Sequence, residues 1–203
     1  MPVIDSSRCI VCSKSVGEDE VYCADCRKAR HIYKQGFALW KYDKVSKKII
    51  THLKYNGAGR LAVYISDELS YHCRDMIKIW KPDALMPVPL HPSKLRKRGF
   101  NQAELIADGI GKTYNIPVIS DVLYRRRKTS AQKYYDNIGR KKNLAGAFAV
   151  DRRRLKKYGK LETIIIVDDI YTTGSTIDGC AMVLKECGIT TIYFICACIG
   201  IGY

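Results

Sequence analysis

Two adjacent carboxylates, Asp168 and Asp169, follow the apolar run at 164–167 and precede a short loop of hydroxyl residues around one glycine. Backbone N–H groups in such a turn point outward at a helix N-terminus, where the helix dipole favours an anion. Gly174 lets the backbone approach a ligand closely because it has no side chain. This hydroxyl loop is therefore predicted to hold a phosphate, and its residues are Thr172, Thr173, Gly174, Ser175 and Thr176.

The acid pair, Asp168 and Asp169, suggests a ligand larger than phosphate. Carboxylates accept hydrogen bonds from sugar hydroxyls. A ribose 5-phosphate would place its phosphate in the hydroxyl loop and its 2′ and 3′ hydroxyls on the acid pair. The alternative is that the acids only cap a helix, but two acids in succession before a hydroxyl-rich turn favour the ligand. The hydroxyl loop is not a Walker A loop, since GxxxxGK[ST] is absent.

Four of the nine cysteines form two CxxC pairs near the N-terminus. Four thiolates in two short turns can close a tetrahedral zinc site. A segment this short has too little core to fold unaided, so the metal would hold it together. A redox CxxC or an iron–sulfur cluster is the alternative, and an odd cysteine count without a secretion signal argues against a disulfide framework. The predicted zinc ligands are Cys9, Cys12, Cys23 and Cys26.

Apolar strands alternate with amphipathic helices along the rest of the chain. This alternation predicts an α/β fold whose sheet is mostly parallel and flanked by helices. The predicted strands are 36–42, 83–90, 116–124, 146–150, 161–169 and 190–200, and the predicted helices are 44–57, 59–80, 101–114 and 175–188. We divide the chain into a zinc-binding unit (1–35), a connecting strand and helices (36–82) and the main α/β domain (83–203).

Positive charge concentrates in the middle of the chain. The whole protein carries a net charge of +15, and residues 86–160 hold 19 Lys and Arg against 5 Asp and Glu. Such a field favours an anionic partner such as phosphates, nucleic acid or an acidic lipid surface, although a basic surface without a partner is the alternative. Two charged segments, 91–100 and 125–143, follow predicted strands, so both could reach the carboxyl ends of the strands where open α/β sheets bind ligands.

The sequence also argues against membrane insertion and secretion. No stretch reaches the roughly 18 apolar residues that a transmembrane helix needs. The N-terminus has no basic region followed by an apolar block, so no signal peptide is predicted. These features predict a cytoplasmic protein.

Several motifs together resemble the ComF family of competence proteins. VDDIYTTGST resembles the phosphoribosyl pyrophosphate (PRPP) signature of type I phosphoribosyltransferases. HLKYNG (52–57), PVPLHPSKLRKRGFNQA (87–103), RRRKTSAQ (125–132) and NLAGAF (143–148) narrow the resemblance to ComF. The family implies a four-cysteine zinc finger on a type I phosphoribosyltransferase-like domain, a cytoplasmic role in natural transformation with single-stranded DNA, and contact with DNA-uptake or recombination proteins.

The resemblance also implies roles for individual residues. The acid pair would bind the ribose hydroxyls directly or through Mg²⁺-bound waters, and the hydroxyl loop would hold the 5-phosphate. The 91–100 segment would approach the pyrophosphate with cations, since an arginine fork suits a phosphate. Asn101 and Gln102 would contact the ligand or cap the turn. The candidate catalytic residues are Asp168, Asp169, Arg96, Arg98 and Arg127, and Lys94 is a further candidate for PRPP binding.

The 125–143 segment resembles the mobile hood of these enzymes. Closing such a loop would exclude water and neutralise developing pyrophosphate charge. Aromatic residues among cations are also how proteins hold single strands, although a tyrosine pair packed in the core is the alternative. The candidate nucleic-acid-binding residues are Arg125, Arg126, Lys133, Tyr134, Arg140 and Lys141.

Three functions stay open at the level of the sequence. The first is DNA handling with a PRPP-type site, the second is a transferase acting on a small base or nucleotide, and the third is a PRPP or nucleotide sensor without chemistry. Phosphoribosyl transfer needs no dedicated protein nucleophile, so the PRPP motif does not identify the acceptor base. The lysines of 44–57 likewise have two interpretations, a solvated face or part of the anion site.

Overall fold

The computed structural model describes Ile4 and residues 7–55, 58–126 and 146–200. Strands and helices alternate along most of these residues. In chain order the elements are α1 (Ala24–Lys28), β1 (Gln35–Lys41), α2 (Lys44–Tyr55), α3 (Ala58–Trp80), β2 (Ala84–Pro87), α4 (Pro92–Arg98), α5 (Gln102–Tyr114), β3 (Leu123–Arg125), β4 (Phe148–Val150), α6 (Arg152–Lys156), β5 (Thr163–Tyr171), α7 (Ser175–Lys185) and β6 (Thr191–Ile199).

The main sheet has four parallel strands in the order β1-β6-β5-β2. β5 and β6 are the two central strands, and both are almost wholly buried. Their continuous β-branched and apolar runs are typical of parallel strands covered on both faces. A separate antiparallel pair joins β3 to β4. The predicted α/β fold with a parallel sheet flanked by helices is confirmed.

Alternate residues of β5 pack into two different hydrophobic clusters. Ile165 and Val167 join the cluster that contains buried side chains of α2, α3 and α5. Ile164 and Ile166 join the cluster that contains side chains of α7 and the cysteines of the N-terminal segment. Because strand side chains alternate between faces, the sheet is covered by the three helices on one side and by α7 with residues 7–30, the cysteine segment, on the other.

The longest helix, α3, has 23 residues and packs one face on the core. Its buried residues Ile65, Leu69, Cys73 and Ile77 recur at every fourth position, which places them on one side of the helix. Within the described ranges no helix is long and apolar enough to cross a membrane.

Two sequence predictions of local structure need correction. The predicted strand at 116–124 is interrupted: Val118 forms an isolated parallel bridge with Leu85, and regular pairing resumes only at β3. The 91–100 segment, predicted as a charged connection, contains the helix α4. Pro92 occupies the first helical turn, where its missing N–H costs nothing, and the side chain of His91 accepts a hydrogen bond from Ser93 N.

Candidate functional site

The acid pair lies in the carboxyl-terminal half of β5, between β2 and β6. Only 9% of Asp168 and 5% of Asp169 is exposed. The Oδ1 atom of Asp168 accepts a hydrogen bond of 2.8 Å from the backbone N–H of Asp169. Two adjacent buried carboxylates are costly for a fold, so their presence at a strand end marks a candidate functional site.

The surroundings shift the pKa values of the two acids in opposite directions. Burial, and then the charge of Asp169, raise the pKa of Asp168 well above its usual value. Burial also acts to raise the pKa of Asp169, but the Lys54 ammonium and hydrogen bonds from neighbours outweigh it and lower that pKa. Lys54 forms an ion pair with Oδ2 of Asp169, and Gln102 Nε2 donates to Oδ1 at 3.3 Å. Burial therefore favours the protonated form of Asp168, whereas the Lys54 ammonium and the hydrogen bonds favour the ionised form of Asp169.

Asn101 and Gln102 have separate roles in the structure. Asn101 is the N-cap of α5: its Oδ1 accepts from Ala103 N at 3.2 Å, and its Nδ2 donates to the Val88 carbonyl at 3.0 Å. Gln102 instead turns toward the acid pair and also accepts a hydrogen bond from Arg98. Asn101 therefore caps the helix, whereas Gln102 contacts the acid pair, and contact of Gln102 with a ligand stays a prediction.

The hydroxyl loop joins the end of β5 to the start of α7. Gly174 has φ +79° and is the N-cap of the 11-residue helix α7. A Cβ at Gly174 would lie 2.6 Å from the Tyr171 hydroxyl and 2.9 Å from His31 Cε1, so both backbone conformation and space require glycine. The hydroxyls of Thr173 and Ser175 are 2.9 Å apart on this loop. A helix N-terminus lined by hydroxyls suits an anion.

Residues 31–33 support the hydroxyl loop from the side of the cysteine segment. His31 Nδ1 lies 2.8 Å from Oδ2 of Asp178, and Ile32 N donates to Oδ1 of the same carboxylate at 2.8 Å. The hydroxyls of Tyr33 and Tyr171 are 2.6 Å apart. Asp178 lies in the first turn of α7, so these contacts fix the helix end that carries the hydroxyl loop.

Four cations on three elements, Lys54 on α2, Lys94 and Arg98 on α4 and Arg125 on β3, are close enough to repel one another. Lys54 contacts Asp169, and Arg98 contacts its partner Gln102. Burial, followed by the positive charges of Arg125, Arg98 and Lys54, lowers the pKa of Lys94. The guanidinium of Arg98 also lies 5.6 Å from the ring centroid of Tyr55. Repulsion among these like charges destabilises the site when no anion is bound, and a bound anion would reduce this repulsion.

Lys54 is the site residue that the sequence did not single out. α2 buries Ser46, Ile50 and Leu53, and this packing brings Lys54 to Asp169. The other lysines of the helix are exposed: Lys44, Lys47 and Lys48. The structure thus shows solvated lysines on one face of α2 and one lysine, Lys54, paired with the acid pair; a role of Lys54 in an anion site stays a prediction. Helical periodicity identifies the buried face, yet it does not identify which flanking lysine meets a distant strand end.

The remaining candidate residues are spread over the described and undescribed parts of the chain. Arg96 is exposed on α4. Arg125 lies on β3, with its guanidinium 5.2 Å from the ring centroid of Phe148, and Arg126 donates to the Tyr124 hydroxyl at 3.2 Å. The other predicted residues lie outside the described residues: Arg127, Lys133, Tyr134, Arg140 and Lys141.

The four predicted zinc ligands come together in space. The Sγ atoms of Cys9, Cys12, Cys23 and Cys26 all lie within 4.8 Å of one another. Thiolates at about 2.3 Å around a tetrahedral ion are about 3.8 Å apart, which matches a cluster of this size. The cluster is therefore close enough to bind a metal and is compatible with structural zinc.

The cysteine segment packs directly on the main sheet. Gly36 N on β1 donates to the Val11 carbonyl at 2.9 Å, and Arg8 donates to the Ala38 carbonyl at 2.7 Å. A Cβ on Gly36 would lie 1.9 Å from Cε1 of Phe194 on β6, so glycine at this position leaves room for the Phe194 ring. The cysteine cluster and the hydroxyl loop thus lie on the same side of one sheet, and residues 31–33 connect them.

We expect Cys9→Ser to lower the zinc content and the melting temperature of the protein. Metal binding to a small cysteine cluster contributes directly to folding free energy, so losing one thiolate weakens both. Plasma mass spectrometry of the wild type should give about one zinc ion per chain, and the variant should give much less. Cys187→Ser is the matched control, because Cys187 is a half-buried cysteine outside the cluster. A wild type free of metal would contradict the assignment.

The chain is similar to proteins of DNA utilization and competence over most of its length. It is 30% identical to the DNA utilization protein YhgH of Shigella flexneri over 94% of this chain and 89% of that protein. It is 25% identical to competence protein F of Haemophilus influenzae over 84% of this chain and 75% of that protein. It is 26% identical to competence protein ComFC of Bacillus subtilis over 89% of this chain and 72% of that protein. No family model matches the chain. The relatives and the four-cysteine cluster on a parallel α/β sheet establish that the chain belongs to the ComF family.

Proposed function

We propose that this protein binds PRPP, or a related ribose 5-phosphate ligand, at the carboxyl end of β5 and serves in the handling of incoming single-stranded DNA. One observation carries the ligand proposal. A buried acid pair is adjacent in sequence to a hydroxyl loop at a helix N-terminus and close in space to converging cations. Phosphate, sugar and a second anionic group are the three parts of a ligand that such an arrangement suits.

Each part of PRPP has a chemical counterpart in the site. The 5-phosphate suits the N–H groups and hydroxyls of the hydroxyl loop. The ribose hydroxyls suit carboxylate acceptors, which Asp168 and Asp169 provide. The pyrophosphate suits Lys94, Arg98 and Arg125, of which the arginines offer forked donors. Mg²⁺ bound with the ligand would prefer carboxylate oxygens and water, and it would neutralise part of the pyrophosphate charge.

The proposed role in DNA uptake is supported by the relatives and by charge. The relatives' names include DNA utilization and competence. Positive charge around the site is suited to phosphate backbones. On the exposed face of α2, a shallow groove combines cations with an aromatic ring, as single-strand binding surfaces do. Its lining residues are Lys44, Lys47, Lys48, Thr51, His52 and Tyr55.

Phosphoribosyl transfer to a small base or nucleotide is the second candidate function. The convergence of cations at the pyrophosphate side favours it, because these charges would stabilise the departing group more than the bound one. In that reaction the C1′–O bond to pyrophosphate breaks, the pyrophosphate takes the electron pair, and a nitrogen of the acceptor bonds to C1′. A sensor that binds PRPP without turnover would use the same binding contacts.

Calorimetric titration with Mg²⁺ and PRPP, with and without a single-stranded oligonucleotide, tests the proposal. We expect PRPP to bind and the oligonucleotide to change the PRPP affinity, since linked ligands change each other's affinity by the same factor. A wild type that fails to bind PRPP would refute the assignment of PRPP as the ligand. PRPP binding that is indifferent to DNA would favour the small-molecule transferase or the sensor, and pyrophosphate release with a base acceptor would separate these two.

A further inference from the structure

Both oxygens of Asp169 already have protein partners. Oδ1 accepts from Gln102 Nε2, and Oδ2 pairs with the Lys54 ammonium. The Asp169 side chain is 7% exposed and that of Lys54 is 23% exposed. A ribose hydroxyl or an Mg²⁺-bound water that reaches this carboxylate must therefore share or replace one of the two donors.

Lys54 is the more easily displaced of the two donors. It lies in the last turn of α2, next to Tyr55, which is 65% exposed. Its ammonium is carried on a flexible four-carbon stem. Gln102 lies in the first turn of α5, is almost fully buried, and is held from the other side by Arg98. The structure thus provides one fixed and one movable donor on the same acid.

A second cation lies close to Lys54. The Arg98 guanidinium lies 5.6 Å from the ring centroid of Tyr55, the residue next to Lys54, and donates to Gln102, which in turn donates to Asp169. The charge of Lys54 also contributes to lowering the pKa of Lys94. In the proposed complex these cations would bind the pyrophosphate. An ammonium displaced from Asp169 can therefore exchange a carboxylate for a pyrophosphate oxygen without losing an anionic partner, which avoids the cost of an unpaired, partly buried charge.

We propose that Lys54 is an exchangeable counter-ion that occupies Asp169 in the free protein and moves to the pyrophosphate when the ligand binds. The inference rests on the proposed function. In the free protein Lys54 prevents Asp169 from attracting a divalent cation on its own. In the complex it becomes a pyrophosphate-binding residue, so that the divalent cation and the ligand bind together.

This exchange predicts opposite effects from one substitution. Lys54→Met should weaken binding of Mg²⁺ with PRPP by roughly 10-fold or more, because a hydrogen bond to a charged group is lost. It should leave ribose 5-phosphate, which has no pyrophosphate, within about twofold of the wild type or tighter. The same variant should bind Mn²⁺ alone more tightly, because Asp169 then has no ammonium competitor.

The experiment combines calorimetry for PRPP and ribose 5-phosphate with Mn²⁺ titration followed by electron paramagnetic resonance. Lys78→Met is the matched control, since Lys78 is an exposed lysine on α3 outside the proposed ligand and DNA contacts, and all three affinities should match the wild type. Lys54→Gln is the second variant if the methionine variant does not fold, and the same pattern of effects is expected for it.

Three results would overturn the exchange. The first is a Lys54 variant that binds PRPP as the wild type does, and the second is one that binds PRPP and ribose 5-phosphate equally weakly without a gain for Mn²⁺, as general damage would produce. The third is a wild type that binds no PRPP. This last result refutes the proposed function itself, whereas the first two leave PRPP binding by the wild type intact.

Discussion

Replacement of both acids, Asp168→Asn with Asp169→Asn, is expected to abolish PRPP binding while the fold remains intact. Amides accept hydrogen bonds more weakly than carboxylates do, both from sugar hydroxyls and from Mg²⁺-bound water. Overall charge alone predicts the opposite change in PRPP affinity, because a site with two fewer negative charges should bind an anionic ligand more tightly. A loss of binding would thus show that the acids contact the ligand system directly.

The fold should tolerate this double substitution. Asparagine has nearly the same size and shape as aspartate, so neither substitution leaves a cavity or overfills the core. The asparagine Oδ1 can still accept from the backbone N–H of residue 169, as Asp168 does at 2.8 Å. Replacing Asp169 leaves Lys54 without its counter-ion, but Lys54 is 23% exposed and can turn toward water. We expect a melting temperature within a few degrees of the wild type.

Calorimetry with Mg²⁺ and PRPP, alongside thermal melting by circular dichroism, tests this expectation. Asp67→Asn with Asp75→Asn provides a matched control, because both acids are exposed on α3 and the change in net charge is the same. That control should bind PRPP at least as well as the wild type. Unchanged PRPP affinity in the Asp168/Asp169 variant would refute the ribose-hydroxyl role.

The features predictable from the sequence are those determined by neighbouring residues. A long apolar run makes β5 a buried central strand, and the residues that follow it must emerge at the carboxyl edge of the sheet. Gly174 then begins a helix, so the acid pair and the hydroxyl loop are neighbours by covalent connection alone. The cysteine cluster was also predictable, because two CxxC turns have few other uses in a short segment.

The features that escaped prediction depend on contacts between distant segments. Lys54 meets Asp169 only because α2 packs its apolar face beside β5, and nothing in the α2 sequence distinguishes this lysine from its neighbours. The His31–Asp178 pair spans 147 residues of sequence. The helix α4 was not predicted for a local reason, since its seven residues begin at Pro92 after two further prolines and are too few for a clear helical period.

The link between the cysteine cluster and the hydroxyl loop leads to a second large expected effect. Asp178→Ala should weaken ribose 5-phosphate binding by roughly 10-fold, the lower part of the range seen when residues that position ligand contacts are removed. In the wild type, Ile32 N and His31 Nδ1 contact the Asp178 carboxylate and so hold the first turn of α7 in place. The substitution removes both contacts. The N–H groups of the hydroxyl loop would then lose their fixed position. Asp178 itself has no place in the proposed ligand contacts, so its effect would be on positioning.

Asp151→Ala is the matched control for this substitution. Asp151 also accepts hydrogen bonds from two backbone N–H groups, Arg153 N and Arg154 N, at the start of a helix. Losing this cap should cost about 1 kcal/mol of stability without changing ribose 5-phosphate affinity. Equal losses of affinity in both variants would indicate general destabilisation and would contradict a specific link.

The same link predicts that binding of the proposed zinc and binding of the proposed ligand are thermodynamically coupled. Residues 31–33 follow the last cysteine of the cluster and contact both Asp178 and Tyr171, so metal loss should loosen the support of the hydroxyl loop. By reciprocity, ribose 5-phosphate should raise the zinc affinity of the folded wild type, as measured by equilibrium competition with a chelator. In Asp178→Ala this gain in zinc affinity should shrink at ligand concentrations that saturate the variant. A wild-type zinc affinity that is the same with and without ligand would show that the cluster and the loop, although joined by these contacts, act independently.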